Sequence, residues 1–531
     1  MQVMFIGAAH EVTGSCHYIS ACGKHILLDC GMEQGADTYE NAELPVAAAE
    51  IDYVFLSHAH IDHSGLIPYL YAHGFRGQVF ATTATTDLCN VMLRDSAHIQ
   101  MFEAEWRNRK AKRAGKEEYV PLYELKDAVG AMDCFVSCSY GQMVEVCEGI
   151  RLRFTDVGHL LGSASIEIWL TEGELTKKIV FSGDVGNFNQ PIIKDPSYID
   201  SADYLIVEST YGDRLHEREA DNVATLASII QETFERGGNV VIPSFAVGRT
   251  QEMLYFMRQI KEEKLIRGFE DFEVYIDSPL AVEATNIFHQ NTEECFDEEA
   301  LAMVRKGINP IHFEGLKIAV SADESKAINF NPKPKVIISA SGMCEAGRIK
   351  HHLKHNLWRP ESTILFVGYQ ANGTLGRAIY EGAKEVRLFG ETIEVRAQIR
   401  KFLGISGHAD KDGLLRYIQA FTKKPQKVFV VHGEDSVAES FAACLRNDYC
   451  MNAVAPFTGA TYSLEDGALL REGSMTRVER QTTKQPTGVF ARLLAAGQRL
   501  LTVIRHNEQG ANKDLAKFAD QINALCDKWD R

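Results

Sequence analysis

Tyr53-Val54-Phe55-Leu56-Ser57-His58-Ala59-His60-Ile61-Asp62-His63 is an apolar strand that runs directly into four metal-ligand side chains within six residues. Imidazole and carboxylate are donors that zinc favours. His58 and His60 stand two apart, so on an extended strand end they project to the same side. Asp62 and His63 follow as the chain turns and address a neighbouring position. This spacing can feed two adjacent metals. A single strand-end histidine is ordinarily structural; three with an aspartate in this pattern point to a metal site.

Two metals need further ligands, and candidates recur at other strand ends. His159 stands in VGHLLGSAS, where Gly158 and Gly162 let the backbone turn sharply. Asp184 stands in FSGDVG, and His432 in FVVHGED after the apolar run Val428–Val431. Asp29 in LLDCG also closes a strand and is read as a carboxylate that orients a ligand from behind.

The surrounding chain is of ordinary globular composition. It has 531 residues, 45% of them apolar and 24% charged, so two domains or one domain with a large insertion are expected. A net charge of −16 argues against a surface-wide nucleic-acid binder. It leaves room for a local basic groove or a metal-centred phosphate site. Twelve scattered cysteines without a CxxC pair read as buried thiols in a reducing compartment. No apolar run approaches the length that spans a bilayer. The expectation is a cytoplasmic protein with no membrane partner.

Residues 1–208 alternate short apolar runs with Gly-rich turns; VMFIGA, HILLDCG, QVFAT, RLRFTDVG, KIVFSGD and DYLIVES read as strands. Helices are expected over His63–His73 and from Thr85 to about Lys112. Arg107–Lys116, RNRKAKRAGK, carries six basic residues. It reads first as a solvated helix end and second as a contact to a nucleic-acid backbone. From about residue 209 helices alternate with apolar strands (NVVIPSF, FEVYID, KVIISAS, STILFVGYQ), the pattern of a parallel sheet covered on both faces. The earlier style returns near residue 396. Residues 461–531 hold no motif, and Val489–Ile504 and Ala511–Trp529 read as helices.

HAHIDH, VGHLLGS and FSGDVG together resemble the metallo-β-lactamase superfamily. Glu208 in VESTYGDR, His408 in ISGHAD and His432 in VVHGE resemble its β-CASP branch of RNA-processing nucleases, as do PSFAVGRTQEML, IDSPLA, SASGMCEAGRIKHHL and GYQANGTLGRAI. The resemblance covers about residues 1–460. It is similar to bacterial homologues of the cleavage-and-polyadenylation endonuclease subunit, and more distantly to ribonuclease J. It implies an α/β fold: an αββα sandwich formed by 1–208 and 396–460, an inserted α/β β-CASP domain over 209–395, and a helical C-terminal extension over 461–531.

The same resemblance implies two zinc ions per chain. His58, His60 and His159 would hold one; Asp62, His63 and His432 would hold the other; Asp184 would bridge them. His408, oriented by Glu208, would protonate the leaving oxygen, so Asp62, Asp184, Glu208 and His408 form the expected catalytic set. Arg249, Arg348, Lys350 and Arg377 would face the inter-domain cleft and grip phosphates. The expected activity is endonucleolytic cleavage of single-stranded RNA. A 5′-exoribonuclease, a DNA-directed nuclease and a non-catalytic RNA-binding scaffold remain alternatives, and a homodimer is left open.

Overall fold

The computed structural model describes residues 1–34, 39–113, 119–217, 221–370, 373–402, 405–478, 488–507 and 512–529. Two sheets face each other. The first has eight strands in the spatial order Leu469–Arg471, Thr461–Ser463, Gln2–Gly7, Cys16–Ala21, Lys24–Leu28, Tyr53–Phe55, Gln78–Thr82 and Phe135–Cys138. The hairpin Cys16–Ala21/Lys24–Leu28 closes through Cys22 and Gly23, both at positive φ (55° and 68°), as the tight two-residue turn of a twisted ribbon demands. The second has seven strands: Ala453–Val454, Lys427–Val431, Tyr204–Glu208, Leu175–Phe181, Ala164–Glu172, Ile150–Asp156 and Val144–Cys147.

Alternation along these strands sends one set of side chains inward. Val3, Phe5, Ile26, Leu28 and Phe55 of the first sheet meet Phe154, Ile166, Ile168, Phe181 and Phe429 of the second in one buried core. Helices cover both outer faces. Those at Ile67–Ala72, Thr83–Arg113 and Leu125–Ala131 lie on the first sheet. Those at Lys411–Gln419 and Asp435–Asn447 lie on the second. This is the expected αββα sandwich.

The insert leaves the sandwich after Tyr204–Glu208. The chain returns to the same sheet at Lys427–Val431, and these two strands are parallel neighbours with Glu208 opposite Val431. Between them lies an all-parallel six-stranded sheet: Leu316–Ile318, Glu273–Ile276, Lys335–Ser339, Val240–Pro243, Thr363–Phe366 and Gln398–Lys401. Its central strands are buried on both faces, which is why VVIP, KVIIS and TILF read as unbroken apolar runs.

Three boundaries depart from the sequence reading. Gln398–Lys401 belongs to the insert's sheet, so the insert runs past residue 395; its composition, QIRK, is that of a charged edge strand and hides the pattern. Thr461–Ser463 and Leu469–Arg471 complete the first sheet beside Gln2–Gly7, so the extension begins after them. The helix expected over His63–His73 breaks into Ile61–Ser64 and Ile67–Ala72 around Gly65 and Leu66. The helices expected near the C-terminus form over Gly488–His506 and Asn512–Trp529, and the former packs on Ala48–Glu50. Part of the basic run, residues 114–116, lies outside the described residues. Among the described residues, no helix is long and apolar enough to cross a membrane.

Phe429 tests the sandwich interior. Its ring meets those of Phe5, Tyr204 and Tyr462 and is fully buried. Phe429→Ala is expected to destabilise the sandwich by about 3–5 kcal/mol, read as a lowered urea midpoint at fixed protein concentration.

Candidate metal centre

Six loops at one rim of the sandwich bring the polar residues together, and glycines let them approach. Gly31 packs so close to Asp62 that a Cβ would sit 1.7 Å from the Asp62 carbonyl oxygen. Gly186 packs equally tightly on the Gly158 carbonyl, where a Cβ would lie 2.0 Å away. Asp184 follows the strand Leu175–Phe181, and His432 follows its parallel neighbour once removed, so strand order alone sets them near each other.

Two clusters of donor atoms result, each with all members within 4.8 Å: His58, His60, His159 and Asp184, and Asp62, His63 and His432. In the first, His58 Nε2 lies 3.0 Å and His159 Nε2 3.3 Å from His60 Nδ1. In the second, His63 Nε2 lies 3.1 Å from His432 Nε2, and Asp62 Oδ2 is 3.8 Å from the latter. Asp184 reaches both: Oδ2 is 3.5 Å from His58 and His159 and 3.4 Å from His63, while Oδ1 is 3.7 Å from His432.

Four of these rings are held by the nitrogen that points away. His63 Nδ1 is 2.6 Å from Asp29 Oδ2, and His159 Nδ1 donates to the Gly407 carbonyl at 3.1 Å. His58 Nδ1 is 3.0 Å from Ser57 Oγ, and His432 Nδ1 is 3.1 Å from Thr210 Oγ1. Asp29 is itself fixed by the Ser57 amide (2.8 Å) and the Ser57 and Ser15 hydroxyls (2.9 and 3.1 Å). With the outer nitrogens so engaged, the Nε2 lone pairs face inward. Sequence reading picked out Asp29 but missed Ser57 and Thr210; each adjoins a motif that was picked out.

Electrostatics fits a bound cation. Burial pushes His58 and His159 well below the usual imidazole range and His60 to about 4, so these rings are neutral. Burial opposes the charge on Asp62, yet the imidazoles of His432, His63 and His60 around it hold its carboxyl down to about 2. Neutral rings with converging lone pairs repel at 3 Å unless a cation lies between them. Asp184 Oδ1 is buried and has no hydrogen-bond partner, a cost that metal coordination removes. The donor set is the nitrogen and oxygen mixture suited to zinc.

Beside the clusters stand Glu208 and His408. Glu208 is buried; its Oε1 accepts from the Val185 amide at 2.6 Å and its Oε2 from the Thr210 amide at 3.2 Å. His408 Nδ1 lies 3.2 and 3.3 Å from the same two oxygens. Burial opposes a proton on His408, but the carboxylates of Glu208 and Asp184 outweigh it and raise the imidazole to about 9. Cations at the neighbouring clusters would draw that value back toward neutrality. His216 Nε2 donates to the His408 carbonyl at 2.9 Å, and Tyr211 stands edge-on to the His408 ring at 6.2 Å. Neither was singled out in the sequence, although VESTYGDRLH holds both.

The insert closes over this rim. Gly248 abuts Leu160 next to His159, and Tyr369 donates to Glu434 at 2.9 Å across the two domains. Arg249 pairs with Glu252 and its charge acts on Tyr211; Arg377 reaches the Gln370 carbonyl beside Tyr369. Both therefore stand in cleft-side segments. Arg348 does not stand free: it is spent on Asp277 at 2.7 Å and on the carbonyls of Ala319 and Val320. Lys350 donates to the Glu345 carbonyl and overhangs Phe389. The sequence reading grouped all four because it could not see that Asp277 claims Arg348.

The glycine contact gives a test independent of any ligand. Gly31→Ala should displace the Asp62 backbone, lower the metal content of purified protein, and reduce nuclease activity in proportion to the metal lost. Full metal content with full activity would show that the loop has slack at this point.

Three family models match: a metallo-β-lactamase superfamily domain at residues 19–205, a Beta-Casp domain at 250–379, and a Zn-dependent metallo-hydrolase RNA specificity domain at 392–456. Ribonuclease TTHA0252 of Thermus thermophilus is 37% identical over 436 residues, covering 82% of this chain and 94% of that protein. An RNase J-like protein of Methanocaldococcus jannaschii is 34% identical, covering 86% and 98%. The transcription termination factor FttA of the same organism is 33% identical, covering 86% of this chain and 70% of its own length. The chain belongs to the β-CASP ribonuclease family of the metallo-β-lactamase superfamily, and it is a metal-dependent hydrolase.

Proposed function

We propose that this chain is a two-zinc endoribonuclease that cuts single-stranded RNA in the cleft between sandwich and insert, inside the cell. The observation that carries the reading is Asp184: one buried carboxylate reaches both histidine clusters and keeps one oxygen without a hydrogen-bond partner. The RNA specificity domain and the ribonuclease named among the relatives support RNA as substrate. Twelve unpaired cysteines suit a reducing compartment.

His58, His60 and His159 would hold one ion, Asp62, His63 and His432 the other, with Asp184 shared. When bound, such a pair ionises a water near neutral pH and stabilises charge on a phosphodiester. The chain's own side chains supply the rest. Asp29, Ser57, Gly407 and Thr210 fix the ligand rings. His408 would deliver a proton from Nε2 to the departing 3′ oxygen as the P–O3′ bond breaks and the oxygen of water bonds to phosphorus. Glu208 holds Nδ1 and thereby sets both the tautomer and the direction of that proton. Two backbone amides keep Glu208 from swinging away. Arg249 and Arg377, at the cleft, would steady the flanking phosphates.

Metal analysis tests the ligand set. About two zinc ions per chain are expected, and Asp184→Ala should lower that number and abolish cleavage. Trace metal in carefully isolated wild-type protein would sink the assignment. Products of end-labelled RNA report the mode: internal fragments support endonuclease action, mononucleotides a 5′-exonuclease. DNA of the same sequence should be cut far more slowly.

The proton donor is separable from the metal. His408→Ala should keep its zinc while cleavage falls by about 10²-fold or more. Glu208→Gln should behave alike, and the double variant should be little worse than either. His432→Ala should cost zinc as well as activity. Loss of zinc from His408→Ala would mean that the roles of the two histidines are exchanged.

A further inference from the structure

The basic run that begins at Arg107 has no part in the metal centre. It ends the 31-residue helix Thr83–Arg113. That helix starts at the centre: Thr85 Oγ1 donates at 2.8 Å to the carbonyl of Gly162, three residues past His159. Trp106 stands 21 residues further along, about 30 Å away at 1.5 Å per residue.

The far end of the helix shows an unusual surface. Ile99, Phe102 and Trp106 share one face at helical spacing, and Phe102 and Trp106 are 69% and 51% exposed. Arg109 continues the same stripe. The chain then comes back along the helix. Asn108 makes two bonds to Tyr119, from Nδ2 to its carbonyl (2.9 Å) and from its amide to Oδ1 (2.6 Å). The Leu122 amide donates to Gln100 Oε1 at 3.2 Å. This pins the Tyr119 ring so that the Arg107 guanidinium stacks over it at 4.5 Å. Leu122 is exposed on the same ledge. Between Glu103 and Arg113 the sequence holds five cations (Arg107, Arg109, Lys110, Lys112, Arg113) and two acids, Glu103 and Glu105. Arg107 and Arg109 pair with these acids at 3.5 and 3.2 Å, exposed contacts worth little that a phosphate can replace. The local balance is +3 in a chain whose total is −16.

From this juxtaposition we propose that Phe102, Trp106 and Tyr119, with Arg107 and Arg109, form a secondary binding platform for single-stranded RNA, remote from the cleavage centre; this rests on the ribonuclease reading above. Exposed rings stack bases without regard to sequence, and guanidinium groups meet the phosphates between them. The charge favours this occupant over a second copy of the chain. A two-fold interface would set the basic run against itself, with like charges opposed. The platform would hold the arm of a long RNA whose other part lies in the cleft, so it adds affinity for long RNA and nothing for short.

The test is equilibrium binding to the full-length His408→Ala chain, followed by fluorescence anisotropy with labelled single-stranded RNA of about 6 and about 30 nucleotides, lengths that bracket typical single-strand sites. Adding Trp106→Ala should weaken binding of the long RNA about tenfold and leave the short one unchanged, while Trp106→Phe should retain most of the affinity. Replacing Arg107 and Arg109 by Gln should flatten the slope of log affinity against log salt by about 1.4. Unaltered affinity of the Trp106→Ala chain for the long RNA overturns the platform, as does an equal loss for both lengths. A change in molar mass by light scattering with RNA binding unchanged overturns it in favour of a protein partner. If the platform variants lose long RNA while the chain without the His408 change cuts no RNA at all, the platform stands and the ribonuclease reading falls.

Discussion

Everything at the rim of the sandwich depends on holding one carboxylate, Asp184, among imidazoles whose lone pairs point at it and at one another. Without a cation this is an unfavourable arrangement: imidazole nitrogens crowd to 3.0–3.3 Å and a buried carboxylate oxygen lacks a partner. A burden of this kind persists only where the surrounding structure over-determines it. That explains the density of support behind the ligands. Asp29 alone takes bonds from Ser15, two atoms of Ser57 and His63. The glycines at the rim serve the same end by letting loops touch backbone to backbone.

The fold supplies this rigidity at little cost because the candidate ligands sit where strands end. Tyr204–Glu208 and Lys427–Val431 are parallel neighbours, so Glu208 and His432 emerge side by side although more than two hundred residues separate them. The hydrogen bonds of the ladder fix their separation before any side chain does. The same pairing fixes the insert's exit and the sandwich's resumption at one edge of the site, with His408 on the return path.

Much of this was legible in the sequence for a physical reason. Candidate ligands at strand ends are preceded by apolar runs and have glycines nearby, and that signature survives without structure; His58 through His63, His159, Asp184 and His432 all carry it. The long helix was read to within two residues at its start because its length is a strong local signal. Other features were hidden because no local pattern encodes them. Gln398–Lys401 is an edge strand, and its charges mask its membership of a sheet. Arg348 looks like a phosphate ligand until Asp277, seventy-one residues away, is seen to occupy it. Ser57 and Thr210 act only through a neighbour's ring nitrogen, which spacing does not reveal.

The way the insert is attached has a consequence for how it moves. Both covalent connections between the two bodies leave the sandwich at neighbouring strands, near Glu208 and His432. A second seam joins them elsewhere. The Lys194 and Asp297 amides donate to the carbonyls of Cys295 and Ile192, the Tyr140 amide donates to Glu294 and Asn291 Nδ2 to Asp87. The helices Thr83–Arg113 and Pro279–Gln290 pack together over an apolar core that both bodies share. Insert and sandwich are thus riveted at two places, and neither can swing without breaking buried contacts of the other, so the cleft between them keeps its width while the chain stays folded.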